Sequence, residues 1–463
     1  MKIKWMGVLI LLALMTLTWS ASAQTTASAP AAPAGIAAAA PAVSTVNSGD
    51  TAWVLMSTAL VLLMMIPGLA FFYGGLVRRK NVLSVLMQCF FIMCVISIQW
   101  VLFGYSLAFG PDVKGLIGNL SWAGLTSVGM EPFSAYAATI PHQVFMLFQM
   151  MFAVITPGLI IGAFAERMKF TSFVVFTLLW ATLVYDPVCH WVWGLGGFLS
   201  RFDATGNLRP GALDFAGGTV VHINAGMAAL AAALLFGKRQ GYPHGISPPH
   251  NLPIAALGAA LLWFGWFGFN AGSALAANGV AVNAFLATHV AGCVAGVTWC
   301  ALDWIKFGKP TTLGIITGVV AGLAAVTPAA GYIETSGAVW IGLVAAILCW
   351  IAVTAVKAKL RYDDTLDAFG VHGVAGIWGS LAVGLWATKA VNPHGVDGLF
   401  AGNPVQLWIQ TKAVLISAVY SFVVSLVLLK FVDLVIGLRV TDHEERIGLD
   451  LTQHREASYT VLD

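Results

Sequence analysis

The chain has 463 residues, of which 59% are hydrophobic and only 9% charged. A water-soluble domain carries about 25% charged residues, so this composition specifies an integral membrane protein. A net charge of +3, with the basic residues scattered among loops, gives no surface for a nucleic acid.

The first residues read as a signal peptide, residues 1–23: Lys2 and Lys4, then an apolar stretch, then Ala21-Ser22-Ala23 as an A-x-A cleavage site. An Ala/Pro/Ser/Thr-rich linker follows over residues 24–48. Cleavage there leaves the mature amino terminus outside the cell.

A bilayer core requires about 20 apolar residues per helix. On that basis spans are expected near residues 52–76, 82–109, 140–164, 170–193, 215–237, 253–271, 280–304, 311–327, 336–356, 367–388 and 408–436. The uncharged run from Asn251 to Leu302 is too long for one crossing, and the polar, glycine-containing FNAGSALAANG divides it. The expected fold is therefore an all-α integral membrane protein of about eleven transmembrane helices over residues 49–438, with a polar tail over residues 439–463. Twelve basic residues fall in the loops on one side, including Arg78, Arg79, Arg167, Lys238, Arg239 and Lys357. The other side holds Lys114, Arg201, Arg209 and Lys389 alone. The positive-inside rule then agrees with the signal peptide: amino terminus outside, carboxyl terminus inside.

Within the fifth span, DFAGGTVVHINAGMAALAAALLFGKR carries His222 among apolar residues; within the tenth, DAFGVHGVAG carries His372. Each lies in the last helix of a five-helix set, and because five is odd the second set inserts upside down. Such inverted repeats are a transporter architecture with the substrate path at the repeat interface. His222 lies about 12 Å along its helix at about 1.5 Å per residue, and His372 approaches from the opposite face, so the two can meet. The flanking Gly217, Gly218, Ala225, Gly226, Gly370, Gly373, Ala375 and Gly376 allow close helix packing with no function implied.

A single intramembrane histidine reads most simply as a neutral imidazole bonded to a neighbouring helix; a matched pair favours a pathway. Bis-histidine haem ligation is the other functional reading, unsupported by any other redox feature; no CxxCH haem-attachment motif or CxxC metal pair occurs. No catalytic or metal-ligating set and no cofactor is expected. Asp214 and Asp367 open their helices, where a carboxylate caps free N–H groups; Asp214 can also favour a nearby cation. His289 reads as structural, and His142, His244, His250, His394, His443 and His454 as solvated. The six cysteines read mostly as buried free thiols. Asp186 falls near a span end, where it either raises the local cation concentration or only ends the helix.

Six blocks together resemble the ammonium transporter (Amt/Mep/Rh) family, bacterial Amt branch: GLAFFYGGLVRRKN, HWVWGLGG, DFAGGTVVHINAG with FGKR, GWFGFNAGS, FGVHG and LRVTDHEERIGLD. The likeness runs from about residue 50 to the tail. It implies an outer ammonium-recruitment site at Phe152, Trp193 and Ser273, where aromatic faces attract a small cation by about 0.5–2 kcal/mol each and a hydroxyl accepts an N–H bond. It implies a hydrophobic gate at Phe148 and Phe269, and a pore whose twin histidines, mutually hydrogen-bonded, are His222 and His372. Without the likeness these aromatics read as interfacial or core residues. In HWVWGLGG, Leu195 interrupts the glycine run but leaves Trp193 in place.

The mechanism implied is loss of a proton at the recruitment site, because a bare charge entering an apolar pore loses its solvation. The twin imidazoles then offer ammonia neutral partners along the pore and relay the separated proton, with proton and ammonia on separate routes, giving electrogenic uptake across the inner membrane. The resemblance further implies a homotrimer with one pore per subunit, and a PII-type nitrogen-regulatory protein acting at the tail. Composition alone makes that tail solvated. The alternative function is an ammonium sensor that signals through the tail and conducts little; no kinase or cyclase segment is expected.

Overall fold

The computed structural model describes residues 45–243 and 248–459. The expected signal peptide, most of the linker, and His244 lie outside the described residues. Eleven apolar helices follow in order: α1 (Ser48–Leu76), α2 (Arg79–Phe109), α3 (His142–Phe164), α4 (Phe170–Trp193), α5 (Gly218–Phe236), α6 (Leu252–Gly272), α7 (Gly279–Phe307), α8 (Thr312–Val326), α9 (Thr335–Leu360), α10 (Phe369–Trp386) and α11 (Pro404–Val435). Among the described residues ten are long and apolar enough to cross a membrane, while α8 has 15 residues. Each stands where the hydropathy places a span, and the long uncharged run breaks between Gly272 and Gly279.

Side-chain caps set several of the starts. Asn47 accepts from the backbone N–H of Asp50 at 3.0 Å, Asn251 from Ile254 at 3.0 Å, Asn278 from Ala281 at 3.1 Å and Thr311 from Gly314 at 2.9 Å. Each satisfies a donor that has no partner within its own helix.

Packing inverts the pattern of a soluble protein. Along α11, Leu415, Val419, Val423, Val427 and Phe431 are exposed, whereas Gln406, Gln410, Ser417, Ser421 and Ser425 are buried. Gln410 donates to the carbonyls of Leu213 (2.8 Å) and Ser380 (2.9 Å), Ser421 donates to Asn224 (2.6 Å), and Ser425 accepts from Trp180 (2.9 Å). Where lipid surrounds a helix, apolar groups gain nothing by turning inward, and polar groups must find protein partners. By contrast α3 is enclosed along nearly its whole length.

At the end bearing most basic loops, buried ions tie the helices together. Glu166 takes the backbone N–H and the Nε of Arg78 (2.7 and 2.9 Å) and an Arg239 guanidinium N–H (3.2 Å). Asp363 takes Arg239 through three bonds of 2.8–2.9 Å and Arg167 at 3.1 Å. Burial alone would raise both acids; the facing guanidiniums outweigh it and hold Glu166 and Asp363 below the usual carboxylate range.

The tail does not read as solvated. Helix α12 (Asp442–Ile447) begins with a capping box of Thr441 and Glu444. Its Glu445 is fully buried, accepting from Arg439 at 2.7 Å and from the N–H of Gln240 at 2.8 Å. Beyond it, the Leu449 N–H reaches Asn81 (2.9 Å) and Asp450 accepts from the Ser84 N–H (2.8 Å). Composition misses this because, Arg439 apart, the partners Gln240, Asn81 and Ser84 come from segments distant in sequence.

Candidate functional site

The wide π-helical turns Gly218–Ile223 and Phe369–Gly373 open α5 and α10, and each carries its histidine. The two helices meet almost backbone to backbone, since a β-carbon on Gly226 would strike Gly373, and one on Gly376 would lie 2.8 Å from the His222 β-carbon. Only glycine permits that approach. The imidazoles of His222 and His372 lie nearly parallel, centroids 5.3 Å apart at 10°, and both are buried.

No hydrogen bond joins the two rings, which corrects the expected mutual bond. Both nitrogens of His222 and Nδ1 of His372 are buried without a partner, an arrangement normally costly enough to require an explanation.

An aromatic column continues from the histidines toward the end opposite the basic loops. Trp266 stacks on His222 at 5.6 Å, and Phe269, one turn along α6, lies 6.2 Å from the imidazole. Phe269 meets Phe152 at 4.4 Å; Phe152 in turn touches Phe148 at 5.0 Å and Trp193 edge-on at 5.7 Å. Phe148, Phe152 and Phe269 are buried; Trp193 and Ser273 are half-buried. Ser273 joins the group through Phe269: its hydroxyl donates to the Phe269 carbonyl at 2.9 Å, leaving the oxygen lone pairs to accept.

Asp214 couples this column to α5. Its carboxylate accepts the N–H groups of Gly217, Gly218, Thr219 and Val220 at 2.6–3.1 Å, and its own carbonyl accepts the Trp193 indole N–H at 2.8 Å. At α10 the expected cap by Asp367 is replaced by Asp364, which accepts from Ala368 (3.1 Å) and Phe369 (2.8 Å). Asp367, at a positive φ of 59°, bonds Lys357 instead at 2.5 Å. Burial first and the nearby Asp367 charge second push the Asp364 carboxyl up, with Lys357 opposing.

Between the histidines and Phe269 lies an enclosed cavity of about 10 Å³, lined by Met64, Ile155, Leu159, Trp266 and both imidazoles. That is room for about one water-sized molecule. From His372 a second cavity of about 270 Å³ extends toward the basic loops.

The ammonium transporter family model matches residues 52–459. The chain belongs to the ammonium transporter family. The transporter is 50% identical over 411 residues to the ammonium transporter of Bacillus subtilis, covering 89% of this chain and 98% of that one. Its structure resembles that of Saccharomyces cerevisiae Mep2, with a TM-score of 0.79, 33% identity, and coverage of 86% and 88%. It also resembles a protein described as a sensor Amt protein, with a TM-score of 0.77, 30% identity, and coverage of 88% and 98%.

Several placements in the transporter differ from the sequence expectation. His142 is buried, not solvated, and bonds the Tyr105 hydroxyl at 2.6 Å inside a cluster with Trp122 and Phe133. His250 bridges the Val77 carbonyl (2.9 Å) and the Tyr459 hydroxyl (3.0 Å), and His454 packs on Phe170. Asp186 is wholly buried and accepts from Gln99 at 2.8 Å, so it does not face a mouth. Cys89, Cys189 and Cys349 are buried, but Cys94 is exposed and Cys293 and Cys300 are half-exposed. Sequence reasoning missed Trp266 and Asp364; an equal spacing of eight residues from Asp214 to His222 and from Asp364 to His372 was the available signal for the second.

Proposed function

We propose that the transporter passes ammonium as ammonia through the column from Trp193 to His372, with the proton moving apart from it. The observation that carries this is the unbroken contact series Trp193, Phe152, Phe269, His222, His372, ending on ring nitrogens buried without partners. Trp193, Phe152 and Ser273 recruit the cation: the rings attract it through their quadrupoles, and the serine oxygen accepts an N–H that a spherical ion lacks. Phe148 and Phe269 close the way to anything hydrated. Past them an ion would be stripped of water in a pocket that offers no compensating charge. Ammonium escapes that cost by leaving its proton behind; potassium has no such option.

His222 and His372 then offer their open nitrogens, as donor or acceptor according to tautomer, to ammonia and to the separated proton. Net transport is electrogenic. The amino terminus lies outside and the basic face inside, supported by the twelve-to-four asymmetry of basic residues. The protein acts in the inner membrane as a homotrimer. Its docked tail is the surface for a PII-type regulator.

The likeness to a sensor Amt protein supports a second reading, in which ammonium occupancy is signalled through the tail with little conduction. Currents from reconstituted protein on a solid-supported membrane decide. Ammonium and methylammonium should evoke current and potassium none. Occupancy without current favours the sensor, and a sustained potassium current overturns both.

A further inference from the structure

The larger cavity, between the histidines and the basic loops, is walled by Glu166, Asp367 and Asp303 among its carboxylates. Glu166 is bound by Arg78 and Arg239, and Asp367 by Lys357. Asp303, near the carboxyl end of α7, is 5% exposed and has no ion pair among the described residues. Its two partners are neutral donors, the Trp350 indole N–H on Oδ1 at 2.9 Å and the Thr311 hydroxyl on Oδ2 at 2.8 Å. Lys306, one turn on, places its ammonium 4.9 Å from the centre of the Trp350 ring and makes no bond to the carboxylate.

A carboxylate offers about four acceptor positions, so two remain unfilled in a cavity wall. The seat is shaped for it: a β-carbon on Gly314 would strike Asp303 Oδ2 and lie 3.0 Å from Trp299. The Trp299 ring shares that wall, and the terminal carbonyls of α7, which ends at Phe307, add negative potential. A desolvated acid held by neutral donors alone attracts a cation more strongly than one already paired.

We propose that Asp303 anchors a second site for a small monovalent cation, occupied by ammonium in operation, at the basic-face end of the path. This rests on the reading of the chain as an ammonium conductor. The site concentrates the ion that enters from or leaves to that face, and it sets the apparent affinity there without touching recruitment at Trp193.

The test has two arms. Crystals of the whole protein soaked in a thallium(I) salt should show anomalous density at Asp303, absent from Asp303→Asn. In oriented proteoliposomes, Asp303→Asn should raise the half-saturating ammonium concentration about fivefold from the basic face and leave that from the opposite face unchanged. Trp350→Phe, which removes a brace but keeps the charge, should retain the wild-type value. No density at Asp303, or equal half-saturation in wild type and Asp303→Asn, overturns the site; so does a Trp350→Phe shift matching that of Asp303→Asn. Wild-type protein without ammonium current would instead sink the conduction reading, while the thallium arm still reports on Asp303.

Discussion

Asp214 and Asp364 are counterparts: each carboxylate closes the first turn of a helix whose buried histidine comes eight residues later. Asp214→Ala would leave four N–H groups without an acceptor, and Asp364→Ala two. Each should cost about 1–2 kcal/mol or more, since these ends are buried. Asp367→Ala removes only a partly exposed pair with Lys357 and should cost about 1 kcal/mol or less. Thermal unfolding of the purified variants in detergent ranks them; an Asp367 variant weaker than the Asp364 variant would contradict the assignment.

Replacing His222 and His372 together by leucine removes the only unpartnered ring nitrogens in the small cavity. Ammonium-evoked current should fall at least tenfold while the protein remains folded and assembled. Solid-supported membrane recordings read this directly, and an undiminished current in the double variant would refute a role for the imidazoles in moving the proton.

Ser273→Ala deletes a hydroxyl oxygen whose own proton is committed to Phe269. Loss of one charge-assisted acceptor, worth about 1.5 kcal/mol, should raise the half-saturating ammonium concentration roughly tenfold. Trp193→Leu should weaken recruitment by a further 0.5–2 kcal/mol or so. Neither change should admit potassium, because Phe148 and Phe269 remain.

Asp363 lies between Arg167 and Arg239, all three buried. Asp363→Ala leaves the buried Arg167 with no carboxylate partner and Arg239 with Glu166 alone, and should destabilise by about 3–5 kcal/mol. The acid dependence follows from the depressed values of Glu166 and Asp363. Their contribution is complete above the ordinary carboxylate value of about 4 and is lost as pH falls through the lower folded values. Wild-type unfolding temperature should therefore drop steeply on acidification below about pH 4, and Asp363→Asn should flatten the drop.

Glu445 is the buried end of the contact between the tail and the membrane domain. Glu445→Ala should free Arg439 and speed amide exchange across residues 441–450 by at least tenfold, with the helices unaffected. Hydrogen–deuterium exchange by mass spectrometry checks it; unchanged protection would place the docking energy at Asn81 and Asp450 instead.

The helices were legible because lipid imposes one rule on every span: backbone groups satisfied within it and apolar side chains around it. Hydropathy therefore located α1 to α11 with few errors, even where FNAGSALAANG had to divide a single uncharged run. The meeting of His222 and His372 was legible through helix parity. Their relative orientation was not, because sequence gives neither the distance nor the angle at which the helices cross where Gly226 meets Gly373. The polar interior resisted for a related reason. Glu166, Asp363 and Glu445 each find partners scores of residues away, and composition treats such charges as loop polarity. His142 misled because a helix-end histidine looks wet until Tyr105 and Trp122 close over it.

The seam where Gly226 meets Gly373 bears on how the molecule can work. Many carriers built from two inverted halves rock one against the other, exposing a central site to each side in turn. A swing of one half against the other would have to part that backbone contact and break the pairs of Arg167 and Arg239 with Asp363. Under the proposed mechanism the frame can stay still, with admission left to rotations of the Phe148 and Phe269 rings.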